Sequence, residues 1–203
     1  MRRHTQPLLS LLTASMLGTL SCSVFVESPS APAAHVVEAP APAADPDLES
    51  VLAHLVRHAR RTGLTESELG TLARALVEEA RRHDLDPRLV LAVVHVESRY
   101  DTYAVSNMDA MGLMQILPST GEWLAPQVGV TWQGPQTLFD PISNVRLGVA
   151  YLRMLVDRYD GNLSAALVAY NWGPGHVDGR LREGGALPAT YSDLVLRAYG
   201  RQT

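Results

Sequence analysis

The stretch Val90–Gly121, VLAVVHVESRYDTYAVSNMDAMGLMQILPSTG, decides how the rest of the sequence is interpreted. It begins with apolar residues that leave almost no polar face, which predicts a central, buried helix. That helix ends on a single glutamate, Glu97. Burying a carboxylate costs several kcal/mol unless it is paired or protonated, so a chain that brings one to the edge of a core usually uses it. Glu97 is therefore the first candidate for a catalytic residue.

Local end signals predict further helices on both sides of this stretch. Thr65 and Glu68 form a capping-box pattern, and an Asp-Pro pair begins the helix at 86–87 and another at 140–141. No segment alternates with a period of two residues, so the predicted fold class is all-α. The other expected elements are helices over residues 48–61, 118–124 and 163–170, a loop over 125–139, and a final helix in LPATYSDLVLRAYG.

Composition divides the chain into four predicted regions. Residues 1–21 combine two arginines with an apolar run of 13 residues, Leu8–Leu20, which is shorter than the roughly 20 residues of a membrane-spanning helix. This pattern is typical of an export signal. Residues 22–47 are rich in proline and alanine and predict a disordered linker. Residues 48–84 predict an N-terminal helical segment packed on the main domain of residues 85–203.

Cys22 is the only cysteine, which excludes a disulfide within the chain. A lone cysteine just after the apolar region of a signal resembles the bacterial lipoprotein cleavage box, in which the cysteine is acylated. We therefore expect an exported protein of the periplasm or cell envelope, with attachment to the membrane through a lipidated Cys22. The alternative is an incidental cysteine in an ordinary secretory signal.

Neither the net charge nor the spacing of the histidines indicates nucleic acid or a metal ion as a partner. The formal net charge is −4 and the pI is about 5.9, so there is no basic surface for nucleic acid. His54 and His58 have the i, i+4 spacing of a metal pair, but no Glu-bearing zinc motif accompanies them, so we interpret them as part of a solvated helix face. No cofactor is expected.

Four segments, in order, resemble the signatures of the soluble lytic transglycosylase domain of the lysozyme-like superfamily. They are ESRYDTYAVSNMDAMGLMQILPST, DPISNVRLGVAYLRML, AALVAYNWGPGHV and LPATYSDLVLRAY. The resemblance runs from about Leu85 to Tyr199 and implies a lysozyme-like helical domain with a substrate cleft. It also implies a peptidoglycan lytic transglycosylase, which cleaves glycan strands between N-acetylmuramic acid and N-acetylglucosamine without water and leaves a 1,6-anhydro end.

The chemistry that this resemblance implies for Glu97 fits its setting. A carboxyl can deliver a proton to the leaving oxygen near neutral pH only if burial raises its pKa. The same carboxylate would then take a proton from the 6-hydroxyl of the sugar. The acetamido group of the substrate can assist in place of an enzyme nucleophile, so no second carboxylate is required.

The resemblance implies substrate-binding roles for five further residues. Ser106 is similar to a serine that hydrogen-bonds near the acetamido group, and Gln115 to a residue that lines the sugar groove. Tyr170 is similar to the tyrosine that orients the glutamate, with Asn171 beside it. Tyr191 is similar to a late tyrosine that closes over the cleft.

The sequence departs from the family pattern at positions that concern substrate preference more than activity. Met108 stands where a small polar residue is frequent, Asp109 stands where the pattern usually has glycine, and Trp172 stands where alanine is common. We expect Trp172 to stack on a sugar face, although it could instead fill the core. Gly112 is expected to let the backbone approach the glycan closely.

Two other functions fit parts of the sequence. A hydrolase of lysozyme type on the same fold would need a second carboxylate roughly 5 to 9.5 Å from Glu97, and Asp101 and Asp109 are the candidates. A non-catalytic, membrane-tethered protein that binds peptidoglycan would need no acid at all.

Overall fold

The computed structural model describes residues 45–200. The predicted signal of residues 1–21, Cys22 and most of the predicted linker lie outside this range. Within it, helices dominate, and the only strand-like pairings are two isolated bridges, Val105 with Met111 and Met111 with Ile116. The helices are α1 (Pro46–Arg57), α2 (Ala59–Thr62), α3 (Glu66–Arg82), α4 (Pro87–Glu97), α5 (Pro118–Leu124), α6 (Pro141–Arg158), α7 (Leu163–Trp172), α8 (Pro174–Arg182) and α9 (Thr190–Gly200).

The helix starts follow the end signals of the sequence. The Thr65 hydroxyl oxygen accepts from the backbone N–H of Glu68, and the Glu68 carboxylate accepts from the backbone N–H of Thr65, which completes the predicted capping box. Asp86 and Asp140 each accept a backbone N–H bond at the start of a helix whose first residue is proline. These bonds satisfy donors that a helix start leaves without a partner.

Other boundaries differ from the prediction. The helix expected over 48–61 is divided at His58 into α1 and α2, and the loop expected over 125–139 contains two short 3₁₀ helices. Helix α8 was not predicted, because we interpreted the Gly173-Pro174 pair only as a stop signal. Pro174 is instead the first residue of the next helix, a position that suits its missing N–H.

The core is built around α4 and α7. The residues of α4 from Leu89 to Val94 are buried, as are the residues of α7 from Ala165 to Tyr170. Helix α9 packs against both of these helices, while α6 packs against α7 and α3. This arrangement brings the start of α9 to the carboxyl end of α4, where Glu97 lies.

The N-terminal helices pack on the rest of the domain, since α1 contacts both α3 and α4. The first described residues are tied down as well, because the Arg81 guanidinium on α3 contacts the carboxylates of Asp45 at 2.6 Å and Asp47 at 2.7 Å. In residues 45–200 no helix is long and apolar enough to cross a membrane.

The interpretation of His54 and His58 as a solvated face was wrong. The His58 ring stacks on the buried Tyr100 ring with 4.3 Å between centroids, and Nε2 of His54 lies 2.6 Å from the Tyr100 hydroxyl. The described residues hold no cluster of three or more side chains that could bind a metal ion. The spacing of these histidines therefore serves packing between α1 and the chain after α4.

Candidate active site

A cleft of about 620 Å³ opens beside the carboxyl ends of α4 and α7. Glu97 lies in it, together with the side chains of the loop after α4 and of the α7–α8 junction. The lining therefore brings together Glu97 and four of the five residues expected to bind substrate. Its residues are Glu97, Ser106, Asn107, Met108, Ala110, Gln115, Ile116, Leu117, Thr120, Tyr151, Tyr170, Asn171, Trp172, Gly173 and His176.

The environment of Glu97 suits a carboxyl that must hold a proton near neutral pH. Burial raises its pKa to about 7, against an ordinary value near 4.5, because the charged form loses its hydration. A hydrogen bond donated by the Tyr191 hydroxyl to Oε1 of Glu97 works in the opposite direction, since it stabilises the carboxylate. The group is therefore poised to exist in either protonation state at neutral pH.

Tyr191 supplies this hydrogen bond from the first turn of α9. Burial and then the negative charge of Glu97 raise the pKa of Tyr191 well above its usual value, so its phenol stays protonated and donates. The sequence assigned the orienting role to Tyr170 and a closing role to Tyr191. The hydroxyl that contacts Glu97 belongs to Tyr191 and not to Tyr170, while the closing role of Tyr191 stays a prediction.

Tyr170 instead fixes the loop on the other side of the cleft. Its hydroxyl donates to the backbone carbonyl of Met114 at 2.9 Å, and its ring lies 5.3 Å from that of Tyr151 between centroids. Burial and then the negative charge of Glu97 raise the pKa of Tyr170 well above its usual value, and both side chains line the cleft. Tyr151, on α6, is a cleft residue that the sequence analysis missed.

Ser106 lies in a compact turn whose backbone is closed by hydrogen bonds. The Ser106 hydroxyl oxygen accepts from the backbone N–H groups of Met108 at 3.2 Å and Ala110 at 3.0 Å. These bonds use the oxygen of the hydroxyl and not its hydrogen. Ser106 can therefore still donate a hydrogen bond to a ligand in the cleft.

Gln115 both lines the cleft and braces the loop that precedes it. Its side-chain nitrogen donates to the carbonyl oxygens of Ala104 at 3.1 Å and Gly112 at 3.0 Å. Its own backbone is left-handed, with φ of 48°, so these side-chain bonds help to hold a conformation that is unfavourable for a residue with a Cβ.

Gly112 is required for packing against the start of α6, a role that the sequence-based expectation of close approach to the glycan did not include. Its φ is 76°, and a Cβ at this position would lie 2.2 Å from the carbonyl oxygen of Leu138 and 2.3 Å from Nδ2 of Asn144. The loop backbone therefore sits directly on the start of α6.

Asn144 is the residue that fastens this loop to α6, and the sequence analysis missed it. It is fully buried, its Oδ1 accepts from the backbone N–H of Met114 at 2.7 Å, and its Nδ2 donates to the carbonyls of Met111 and Leu138 at 2.9 Å. The available signal was an amide on the otherwise apolar face of a helix, since a buried amide must find partners.

Trp172 lies at the cleft and not in the core. Its side chain is 42% exposed, and its ring stacks on that of His176 with 5.5 Å between centroids and 21° between planes. Trp172 and Asn171 also line an adjoining cavity of about 300 Å³, to which Tyr191 contributes. Met108, another departure from the family pattern, is 75% exposed at the cleft.

Neither candidate for a second carboxylate lines the cleft. Asp101 is exposed and accepts a hydrogen bond from the backbone N–H of Tyr103, while Asp109 is exposed in a turn. Among the cleft residues in the described range 45–200, Glu97 is the single carboxylate.

Comparison with known proteins identifies a family. The model of the family described as transglycosylase SLT domain matches residues 75–191, which is more than half of the chain. A curated relative, membrane-bound lytic murein transglycosylase C from Cronobacter sakazakii, is 39% identical over 110 residues, covering 49% of this chain and 30% of the relative.

Solved structures agree with this match. An inactive mutant of the lytic transglycosylase Slt from Pseudomonas aeruginosa has a TM-score of 0.51 and 31% identity, over 62% of this chain and 20% of that one. The 70 kDa soluble lytic transglycosylase from Escherichia coli has a TM-score of 0.55 and 19% identity, over 75% of this chain and 28% of that one, and shows the same fold. The chain thus spans less than a third of the length of each of these relatives.

Proposed function

This chain belongs to the transglycosylase SLT domain family, and we propose that it acts as a peptidoglycan lytic transglycosylase. In this proposal it cleaves the β-1,4 bond between N-acetylmuramic acid and N-acetylglucosamine and leaves a 1,6-anhydromuramyl end. The observation that carries the proposal is Glu97, which burial at the side of a cleft of about 620 Å³ gives a pKa raised to about 7.

The reaction needs one group that first gives and then takes a proton. Protonated Glu97 donates to the glycosidic oxygen as that bond breaks, and the substrate's acetamido oxygen stabilises the carbon left behind. The Glu97 carboxylate then accepts the proton of the 6-hydroxyl while the 6-oxygen closes onto the same carbon. Glu97 is therefore protonated again at the end of the reaction, and no water enters the product.

The residues around Glu97 support these two proton transfers. Tyr191 orients the Glu97 carboxyl through its hydrogen bond, and Ser106 retains a hydroxyl hydrogen that can bond the acetamido group. Gln115, Tyr170 and Asn171 line the same cleft and provide contacts to the glycan. No cofactor takes part in the proposed reaction.

One observation distinguishes this proposal from a hydrolase with two carboxylates. In residues 45–200 the cleft lining contains Glu97 as its single carboxylate, and Asp101 and Asp109 lie outside it. A chemistry in which the substrate supplies the second nucleophilic group fits this lining better than one that needs a second acidic side chain.

The test is digestion of purified peptidoglycan sacculi followed by mass spectrometry of the products. We expect anhydro ends with the wild type, and Glu97→Gln should lower the rate at least about a hundredfold while binding persists. Glu78→Gln, which changes an exposed carboxylate on α3, is the matched control and should be fully active.

Two results would contradict the proposal. Reducing ends in place of anhydro ends would identify a hydrolase. Sacculi that are bound but not cleaved by the wild type would identify a non-catalytic peptidoglycan-binding protein.

We also propose that the protein works in the cell envelope, attached through a lipidated Cys22. The name of the Cronobacter sakazakii relative, membrane-bound lytic murein transglycosylase C, supports an envelope location. Cell fractionation tests the attachment: the wild type should sediment with membranes and Cys22→Ala should not. Equal distribution of the two proteins would disprove lipidation.

A further inference from the structure

The loop that leaves α4 directly after Glu97 has an unusual backbone. Two consecutive residues are left-handed, with φ of 53° at Arg99 and 70° at Tyr100. Residues with a Cβ adopt this region at a cost in free energy. A local bond from the backbone N–H of Tyr100 to the Ser98 hydroxyl offsets part of this cost, and contacts from α1 and α2 offset a further part. Glu97 is the last residue of α4 and lies two positions before Arg99.

Tyr100 connects this loop to α1. Its side chain is fully buried, and its hydroxyl lies 2.6 Å from Nε2 of His54. Nδ1 of His54 lies 3.0 Å from a guanidinium nitrogen of Arg57. Because a guanidinium only donates, Nδ1 must accept, and the proton of the neutral ring must be on Nε2. His54 therefore donates its Nε2–H to the Tyr100 hydroxyl oxygen.

His54 is neutral at neutral pH, which fits a ring with a single proton on Nε2. Burial, with the neighbouring charges of His58, Arg57 and His95, lowers the pKa of His54 to about 4. The rings of His58 and His95 lie 4.3 and 5.6 Å from the Tyr100 ring between centroids. The Tyr100 ring is thus surrounded by three histidine rings, and its hydroxyl accepts a hydrogen bond from His54 on α1. The three rings are those of His54, His58 and His95.

A second bond ties the same loop to α2. Thr102 is buried, and its hydroxyl donates to the carbonyl oxygen of Thr62, the last residue of α2, at 2.8 Å. Both bonds thus come from residues 46–62, which precede the segment 75–191 matched by the family model. After Thr102 the chain continues to Ser106 at the cleft.

We propose that residues 46–62 position the active site, and that His54 is a positioning residue that acts through Tyr100 on the helix end carrying Glu97. This inference rests on the proposed function, in which Glu97 is the acid and base. Without the bond from His54, the buried Tyr100 hydroxyl loses its partner and the left-handed loop loses one of its restraints. Glu97 then shifts relative to the glycosidic oxygen, and water reaches its carboxyl.

The test compares three variants with the wild type in the sacculus digestion. His54→Leu removes the donor, His54→Gln retains an N–H at a similar distance from the backbone, and Val56→Ala changes an exposed residue of the same helix. We expect His54→Leu to lower kcat about tenfold with little change in KM, because misplacement of the acid affects the chemical step. His54→Gln should recover most of the wild-type kcat, and Val56→Ala should equal the wild type.

A readout that does not need activity makes the test independent of the proposed function. NMR titration of the Glu97 carboxyl carbon should show a lower pKa in His54→Leu than in the wild type, because water reaches the group. A wild type that cannot cleave sacculi would defeat the proposed function, whereas the titration would still decide whether His54 controls the surroundings of Glu97.

The positioning role is overturned if His54→Leu has the kcat and the Glu97 pKa of the wild type. It is also overturned if His54→Leu and His54→Gln lose only melting temperature, and to the same extent, since that result describes a purely structural contact.

Discussion

The Tyr191 hydroxyl donates a hydrogen bond to Oε1 of Glu97, although 94 positions separate the two residues in the sequence. The bond joins the first turn of α9 to the last residue of α4. It fixes one carboxyl oxygen and opposes the rise in pKa that burial causes. Both the orientation of the Glu97 carboxyl and the pH range of activity should therefore depend on Tyr191.

Replacing Tyr191 with phenylalanine should move the activity profile toward alkaline pH. The hydrogen bond stabilises the carboxylate, so its loss raises the pKa of Glu97 above its present value of about 7. The first step needs protonated Glu97, so kcat/KM should fall at a higher pH in Tyr191→Phe than in the wild type, with a lower maximum. The control is Tyr199→Phe, since Tyr199 lies on the same helix as Tyr191 but its hydroxyl donates to Asp86. An alkaline limb that stays in place or moves to lower pH would show that Tyr191 does not tune Glu97.

The raised pKa of Glu97 should also appear in folding stability. The folded protein holds this proton up to about pH 7, whereas an unfolded glutamate releases it near 4.5. The contribution to the free energy of unfolding is therefore complete below pH 4.5 and is lost as pH rises through 7. Above pH 8, Glu97→Gln should be more stable than the wild type by about 1–3 kcal/mol, and the difference should shrink on acidification. Urea unfolding at a series of pH values measures it, and a difference independent of pH would contradict the assigned pKa.

Truncating Asn144 should loosen the loop that carries Gln115. Asn144→Ala removes three hydrogen bonds and leaves buried backbone groups of Met111, Met114 and Leu138 without this partner. We expect a loss of about 2–4 kcal/mol in the free energy of unfolding, together with reduced activity. Asn162→Ala, which removes only the N-cap of α7, should cost about 1 kcal/mol and spare activity. Equal losses from the two substitutions would argue against an anchoring role for Asn144.

Trp172 should contribute to affinity and not to the chemical step. Its exposed ring is held against His176 at the cleft, which presents a flat surface to a sugar. Trp172→Ala should raise KM about three- to tenfold and leave kcat unchanged, as expected for binding that is equal in ground and transition states. Trp123→Ala, at an exposed tryptophan outside the cleft lining, should leave both constants unchanged. A fall in kcat alone would mean that Trp172 acts on the reacting centre.

The sequence predicted those features that depend on neighbouring residues. Caps at Thr65, Asp86 and Asp140 act within one helical turn, so local rules located the starts of three helices correctly. The apolar run that ends on Glu97 placed a carboxylate at the edge of the core for the same reason. The resemblance of four short segments then identified the family, which the match over residues 75–191 confirms.

Contacts between distant parts of the chain could not be predicted in the same way. Local spacing does not indicate which tyrosine hydroxyl reaches Glu97, and the packing of α9 on α4 decided for Tyr191 over Tyr170. The bond from His54 to Tyr100 spans 46 positions, so the same histidine spacing suited a solvated face equally well. The packing of Gly112 against Leu138 and Asn144 could not be predicted either, because it depends on how close α6 lies in the folded chain.

The ion pairs of Arg81 with Asp45 and Asp47 join the beginning of α1 to α3. A force applied along the chain from its amino-terminal side is therefore shared by α1 and α3 before it reaches His54. If the protein is attached to the membrane through Cys22, as proposed, the same ion pairs would share with α3 a force that reaches α1 along the linker.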